Sequence, residues 1–298
     1  MDGILNVYKE ADWTSNDVVQ KLRGILHTKK IGHGGTLDPM VTGVLPIAVG
    51  HATRLLEYMD GAGKEYLAEL TLGTATETED AEGAVIETTP VVENSVSADN
   101  IDAVLQQFLG KISQVPPMYS AVKVNGKRLY EYARAGLTVE RAAREVEIKG
   151  IERVSEVTYA DNAASFRFRM ACSKGTYVRT LCVDIARELG FSGHMSALTR
   201  TMANGLEVAD ALTLTEIQDV VAEDALTEIL QPLSVAVSGL SRKNLSADEM
   251  EAVSHGKALS DAATSFSENE KVALFYGNEP VAIYEWHDEQ LKAKKVLV

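Results

Sequence analysis

Eight residues, Gly32-His33-Gly34-Gly35-Thr36-Leu37-Asp38-Pro39, constrain this chain more than any other stretch. Glycines let backbone approach a ligand closely, and Pro39 drives the residue before it out of the α region, so the segment must be a tight loop that holds Asp38 in one pose. Neither a helix face nor core packing calls for a carboxylate there. The loop offers Asp38 as a nucleophile; the plainer alternative is an Asx turn in which the carboxylate caps its own backbone. Both flanks anchor the loop. Thr14, Ser15, Asn16 and Asp17 supply N-cap candidates for a helix carrying Val18, Val19, Leu22, Ile25 and Leu26 at helical spacing and ending near His27. Beyond the loop, the apolar run at 43–49 reads as a buried strand.

With 298 residues and 45% hydrophobic content, the chain can bury one large core and a small second domain. It reads as a soluble globular protein. No run of about 18 apolar residues exists to span a membrane. Met1-Asp2-Gly3-Ile4-Leu5 lacks the basic start and apolar centre of a signal peptide, so a cytoplasmic location is expected. Cys172 and Cys182 have no third or fourth partner, which argues against a zinc site or a disulfide framework and for two buried small hydrophobes.

A net charge of −14 argues at first against nucleic acid. Its distribution argues otherwise. Residues 201–298 hold 7 Lys and Arg against 17 Asp and Glu, a balance of −10, which leaves only −4 on the first 200 residues. Within those 200, basic residues cluster: Lys21, Arg23, Lys29 and Lys30 before the Asp38 loop, then Lys123, Lys127 and Arg128, then Arg141 and Arg144. Such clusters are either solvated faces or a phosphate track across an acidic protein.

Residues 64–72 alternate as a strand with Tyr66, Ala68, Leu70 and Leu72 on one face, and Phe166, Phe168 and Met170 alternate with Arg167 and Arg169 as a second. Ser97 caps a predicted helix with Ile101, Val104, Leu105, Phe108 and Leu109 in one stripe. The second strand runs through Cys172-Ser173-Lys174-Gly175-Thr176 into a helical stripe of Val178, Leu181, Cys182, Ile185 and Leu189, which puts Tyr177 and Arg179 at a helix start. Residues 113–130 are turn-rich, and 131–152 are charged and weakly periodic, so 124–152 is expected to be a surface insertion. After Gly239 the character changes. Ser241-Arg242-Lys243-Asn244 reads as a linker, 271–276 and 280–286 as a hairpin around Gly277-Asn278, and 294–298 as a further strand. The expected domains are therefore 1–238, holding the chemistry, and a small β-rich module at 239–298, marginal alone and docked on the main body.

Familiar catalytic layouts are missing. The glycine loop lacks the Lys-Ser/Thr of a P-loop, no G-x-G-x-x-G joins a strand to a helix, no His pair has metal-ligand spacing, and no G-x-S-x-G elbow occurs. No cofactor and no metal are expected. What remains is an aspartate, tyrosines, an arginine and a histidine on loops; a carboxylate attacks electrophilic carbon without a cofactor in glycoside chemistry.

The loop Gly32 to Pro39 with Thr42-Gly43-Val44-Leu45-Pro46 resembles the catalytic motif of the TruB-type pseudouridine synthases. Lys64-Glu65-Tyr66 matches that family's K-x-Y, and residues 114–123, Gln-Val-Pro-Pro-Met-Tyr-Ser-Ala-Val-Lys, with Gly126 and Tyr130 match its Q-x-P-P-x-Y-S-A-x-K segment. Residues 172–179 and 194–200 continue the pattern in the family's order. The resemblance implies an α+β pseudouridine synthase fold: a mixed, mostly antiparallel sheet with flanking helices and a central cleft, followed by a C-terminal module that is PUA-like, although shorter and more acidic than a full PUA domain.

It also implies isomerisation of one T-loop uridine of tRNA, position 55 in tRNA convention, to pseudouridine. Asp38 would be the nucleophile, at C6 of the base or C1′ of the ribose, and Arg179 its ion-pair partner, keeping it ionised. Tyr66 would stack on the base and share in the proton shift from C5, while Tyr177 and Leu198 line the pocket. A uridine in a folded T-loop must be flipped out, and His33 matches the position that fills the gap. Lys21, Lys29, Lys30, Lys123, Lys127, Arg128, Arg141 and Arg144 are the RNA-backbone candidates. The expected partner is the T-arm of tRNA, with no membrane, no obligatory protein partner and a monomeric enzyme. Three departures stand out: Gly34 where many members carry Thr, Glu77 where Asp is usual, and Lys9-Glu10-Ala11-Asp12 without the common Pro and Gly. Competing readings are a tRNA-folding chaperone on the same fold, a synthase acting on another RNA, and a two-carboxylate glycosidase.

Overall fold

The computed structural model describes residues 1–59, 61, 63–260 and 266–298. The chain forms two compact units. One comprises Met1–Pro39, Gly43–Ala62 and Met202–Val298; the other comprises Met40–Thr42 and Gly63–Thr201. Among the described residues no helix is long and apolar enough to cross a membrane.

In the second unit, Lys64–Leu72 lies between the strands Gly193–Ala203 and Ala163–Cys172, and the order continues through Arg144–Arg153 to Gly110–Gln114. Lys64–Leu72 and Ala163–Cys172 are antiparallel, with Tyr66 opposite Met170, Ala68 opposite Phe168 and Leu70 opposite Phe166. The period-two pattern puts all six on the buried side. Burying Phe166 and Phe168, each at most 1% exposed, contributes about 2–3 kcal/mol apiece. The helices Ala98–Gln107 and Val178–Glu188 pack on this sheet through Ile101, Val104 and Leu105 and through Leu181, Cys182, Ile185 and Ala186. Gly193 permits the closest approach, since a Cβ there would lie 2.4 Å from the Ala186 Cβ.

Residues 144–152 are not a surface insertion. Arg144–Arg153 is a strand between Ala163–Cys172 and Gly110–Gln114, with Val146, Ile148 and Ile151 buried. Its outward Glu145, Glu147 and Lys149 supply the charge that masks the strand in the sequence. A register shift between Ile148 and Gly150 further breaks the alternation. The hairpin of Lys123–Val124 and Lys127–Arg128 and the short helix Leu129–Arg134 are exposed or half-buried, and only Leu129 is buried.

In the first unit Gly3–Lys9 pairs antiparallel with Thr42–Val49, from Gly3 opposite Val49 to Lys9 opposite Gly43, and Ile31–His33 also pairs with Thr42–Val49. The helix Ser15–Ile25 begins at a capping box: Asp17 N–H donates to Thr14 Oγ1 at 3.1 Å and Thr14 N–H to the Asp17 carboxylate at 3.0 Å. The C-terminal strands run in the order Ser241–Asn244, Lys271–Tyr276, Glu279–His287, Gln290–Val296, Leu259–Ser260. The expected hairpin is present, turning at Gly277 with φ +62°. Ser241–Asn244 is a strand rather than a linker, paired parallel with Lys271–Tyr276. One face of this sheet has its own core of Val253, Val272, Leu274, Tyr284 and Leu291. The other buries Ala273, Phe275 and Ile283 against Ile4, Val44, Ala48 and Leu55.

Candidate active site

The glycine loop of the first unit is shaped by close packing. A Cβ on Gly32 would lie 2.6 Å from Leu56 Cδ1, one on Gly34 would lie 2.8 Å from the Met59 thioether, and Gly35 has φ +141°. The Met59 side chain thus fills the room that a larger residue at position 34 would need.

Asp38 is half-buried between two neighbours whose backbones are fixed. On one side the Leu37 N–H donates to Ser15 Oγ at 2.9 Å, and that hydroxyl donates to the Leu37 carbonyl at 3.2 Å. On the other, the Pro39 carbonyl accepts from the Asp12 N–H at 3.0 Å and from Lys9 Nζ at 2.9 Å. The Lys9 ammonium has no solvent exposure and donates also to the carbonyls of Glu10 at 2.9 Å and Trp13 at 2.6 Å. A buried cation held by three carbonyls satisfies its donors and ties the 9–13 stretch to Pro39 as a rigid seat for the loop. His33 is half-buried at the end of Ile31–His33.

Tyr66, Tyr177, Arg179 and Leu198 belong to the second unit. Tyr66 and Leu198, each 8% exposed, lie on neighbouring strands. Tyr177 is the N-cap residue of Val178–Glu188, and Arg179 follows in its first turn. Arg179 is buried, unlike an ordinary surface ion pair: it donates from Nη1 to the Thr78 carbonyl at 2.8 Å and from Nη2 to the Tyr119 carbonyl at 2.9 Å, and Nη1 lies 3.4 Å from Asp80 Oδ2. Asp80, 4% exposed, accepts at Oδ1 from the Thr78 hydroxyl and from the Glu82 N–H at 3.1 Å. Beside it Glu79 adopts φ +67° and accepts from the Thr180 hydroxyl at 2.6 Å. Burial raises the Glu79 carboxyl above the usual carboxylate range, against the opposing Thr180 bond and Arg179 charge. The acidic loop thus anchors the arginine, and exposed Glu77 accepts from the Tyr119 hydroxyl at 2.9 Å.

Sequence reasoning assigned no site role to Asp80, Gln114, Ser15 or Lys9, although Ser15 stood among the N-cap candidates and Gln114 in the 114–123 motif. The signals lay in Asp80 within the Thr-rich acidic loop and in Lys9 closing the apolar run of Gly3–Lys9. Among the basic candidates, Lys21, Lys29, Lys30, Lys123, Lys127, Arg128 and Arg144 are exposed. Arg128 also sits 5.8 Å over the Tyr130 ring and donates to its hydroxyl at 3.0 Å. Arg141 is half-buried and donates to the Pro116 carbonyl at 3.0 Å, so part of its hydrogen-bonding capacity is spent within the fold. Lys21 and Lys29 line two adjoining depressions of about 380 and 750 Å³ that share Gly24 and His27, and no carboxylate lines either.

The profile of the TruB family pseudouridylate synthase (N terminal domain) matches residues 23–178, and that of the tRNA pseudouridylate synthase B C-terminal domain matches residues 179–238. The tRNA pseudouridine synthase B of Lactococcus lactis subsp. lactis (strain IL1403) is 52% identical, across 100% of this chain and 99% of its own length. That of Streptococcus sanguinis (strain SK36) is 53% identical across the full length of both chains. Among solved structures, a Cbf5-Nop10-Gar1 complex contains a chain superposing with a TM-score of 0.78 at 28% identity, covering 99% of this chain and 85% of that one. An H/ACA RNP bound to a substrate RNA containing 2'-deoxyuridine gives 0.73 at 27%, with 99% and 85% covered. The chain belongs to the TruB family of pseudouridylate synthases.

Proposed function

We propose that this enzyme isomerises uridine 55 in the T-loop of tRNA to pseudouridine, with Asp38 as nucleophile and no cofactor. The N1–C1′ bond breaks, the uracil turns, and C5 bonds to C1′; the C5 proton is lost and N1 is protonated, so atoms balance without a redox partner. Asp38 attacks C6 or C1′ to hold the fragments together between these steps. Arg179 pairs with Asp38 and orients it, Tyr66 stacks on the base and assists the proton shift from C5, and Tyr177 and Leu198 line the pocket. His33 occupies the space left when the uridine flips out, offsetting the lost stacking. Exposed Lys21, Lys29 and Lys30, and the basic side chains Lys123, Lys127 and Arg128, meet phosphates, and such contacts let a chain of net charge −14 bind RNA.

The observation that carries the reading is the fixing of both backbone neighbours of Asp38, by Ser15 at Leu37 and by Lys9 at Pro39. Holding an attacking group in one reactive geometry lowers the barrier of the step it takes part in. The test is carbodiimide treatment and primer extension on an unmodified tRNA transcript, with wild type and Asp38→Asn and no added cofactor. One stop, in the T-loop at position 55 and absent with the variant, is expected; a stop elsewhere, or one that persists with the variant, would contradict it.

A further inference from the structure

We infer that Gln114 is a positioning residue for the isomerisation, its buried amide clamping the backbone of Tyr177 at the start of the helix that carries Arg179; this rests on the reading that Tyr177 lines the base pocket. Gln114 is 2% exposed and ends the strand Gly110–Gln114, held in the sheet opposite Arg144. Its Oε1 accepts from the Tyr177 N–H at 2.8 Å and its Nε2 donates to the Tyr177 carbonyl at 3.0 Å. The amide uses one acceptor and one donor on a single residue, as a neighbouring strand would.

Tyr177 is the N-cap residue, with extended dihedrals of −101° and 108°, so its N–H takes no part in the helix's own hydrogen bonds. Its carbonyl also receives the Leu181 N–H at 3.1 Å, the first bond of the helix. The chain reaches Tyr177 through exposed Lys174 and Gly175, the latter at φ +84°. The sheet therefore fixes Tyr177 through Gln114. From Gln114 the chain passes Val115-Pro116-Pro117, where Arg141 braces the Pro116 carbonyl, and reaches Tyr119, whose carbonyl takes Arg179 Nη2. One six-residue segment thus holds the backbone of Tyr177 and the side chain of Arg179, and misplacing such groups by about 1 Å costs on the order of 100-fold in rate.

The test uses Gln114→Leu and Gln114→Glu in the full chain, with turnover on a tRNA transcript from pH 5.5 to 8.5, tRNA affinity, and the thermal midpoint. Gln114→Leu should lower kcat by about 10–100-fold at every pH, with tRNA affinity within about twofold of wild type. Gln114→Glu carries the sharper readout. Protonated, its carboxyl reproduces the amide pattern; ionised, it turns a carboxylate onto the Tyr177 carbonyl, and burial raises its pKa. Its kcat relative to wild type should approach one at low pH and fall as pH rises. A flat ratio, or Gln114→Leu turning over like wild type, would overturn the inference. If Gln114→Leu does not fold, the Gln114→Glu ratio decides alone. Wild type that makes no pseudouridine in tRNA would sink the functional reading first, and this inference with it.

Discussion

The Lys9 ammonium, without solvent exposure, donates to the Pro39 carbonyl at 2.9 Å and so ties the end of the first strand to the residue after Asp38. Replacing Lys9 with Met strips a donor from the carbonyls of Glu10, Trp13 and Pro39 at once. A loss of about 2–4 kcal/mol in urea unfolding is expected. Turnover should fall by more than the unfolded fraction explains, because the Asp38 loop loses its seat. Turnover that tracks the folded fraction would show that the tether serves stability alone.

Ser15→Ala tests the other side of the same seat. Its hydroxyl holds both backbone groups of Leu37, and the substitution leaves the Thr14–Asp17 capping box intact. Stability should drop by about 1–2 kcal/mol, with kcat affected more than tRNA affinity. An unchanged kcat would mean that Leu37 needs no support.

Glu79 predicts a pH effect on stability. Burial raises its folded pKa above the unfolded value, so the fold resists its ionisation. Its contribution is fully favourable below the unfolded carboxylate range and is lost as pH rises through the raised folded value. Glu79→Gln keeps an oxygen for the Thr180 hydroxyl without the charge. Relative to wild type, its unfolding midpoint should be about equal near pH 4 and higher at pH 7–8. A variant less stable than wild type at pH 8 would show that attraction to Arg179 outweighs desolvation.

The depressions beside Gly24 and His27 predict salt-dependent binding through Lys21 and Lys29. Lys21→Glu with Lys29→Glu should weaken tRNA binding and flatten the dependence of log affinity on log salt by about one to two units, with turnover at saturating tRNA retained. An unaltered slope would remove these lysines from the phosphate track.

Much of the scaffold was legible in the sequence, for identifiable reasons. The alternation around Tyr66 and Phe168 and the stripe of Val178, Leu181, Cys182 and Ile185 are periodic signals that sheet and helix geometry dictate. The glycine loop was legible because Gly35 takes a positive φ that residues with a Cβ rarely adopt. The supports of the site were not. Lys9 at a strand end reads as a solvated edge, and its burial depends on carbonyls from positions 10, 13 and 39 converging in space. Asp80 and Arg179 lie 99 positions apart, so no local pattern links them. Arg144–Arg153 was hidden by its outward charges, and Ser241–Asn244, short and polar, is a strand through its pairing with Lys271–Tyr276.

The most direct test of the central claim is tritium release from tRNA labelled at C5 of uridine, which counts the proton lost when C5 replaces N1 on the sugar. Wild type should release one tritium per tRNA and none from a transcript with cytidine at position 55; Asp38→Asn should release none while binding tRNA with nearly unchanged affinity. Release by Asp38→Asn at the wild-type rate, or undiminished release from the cytidine-55 transcript, would contradict the account.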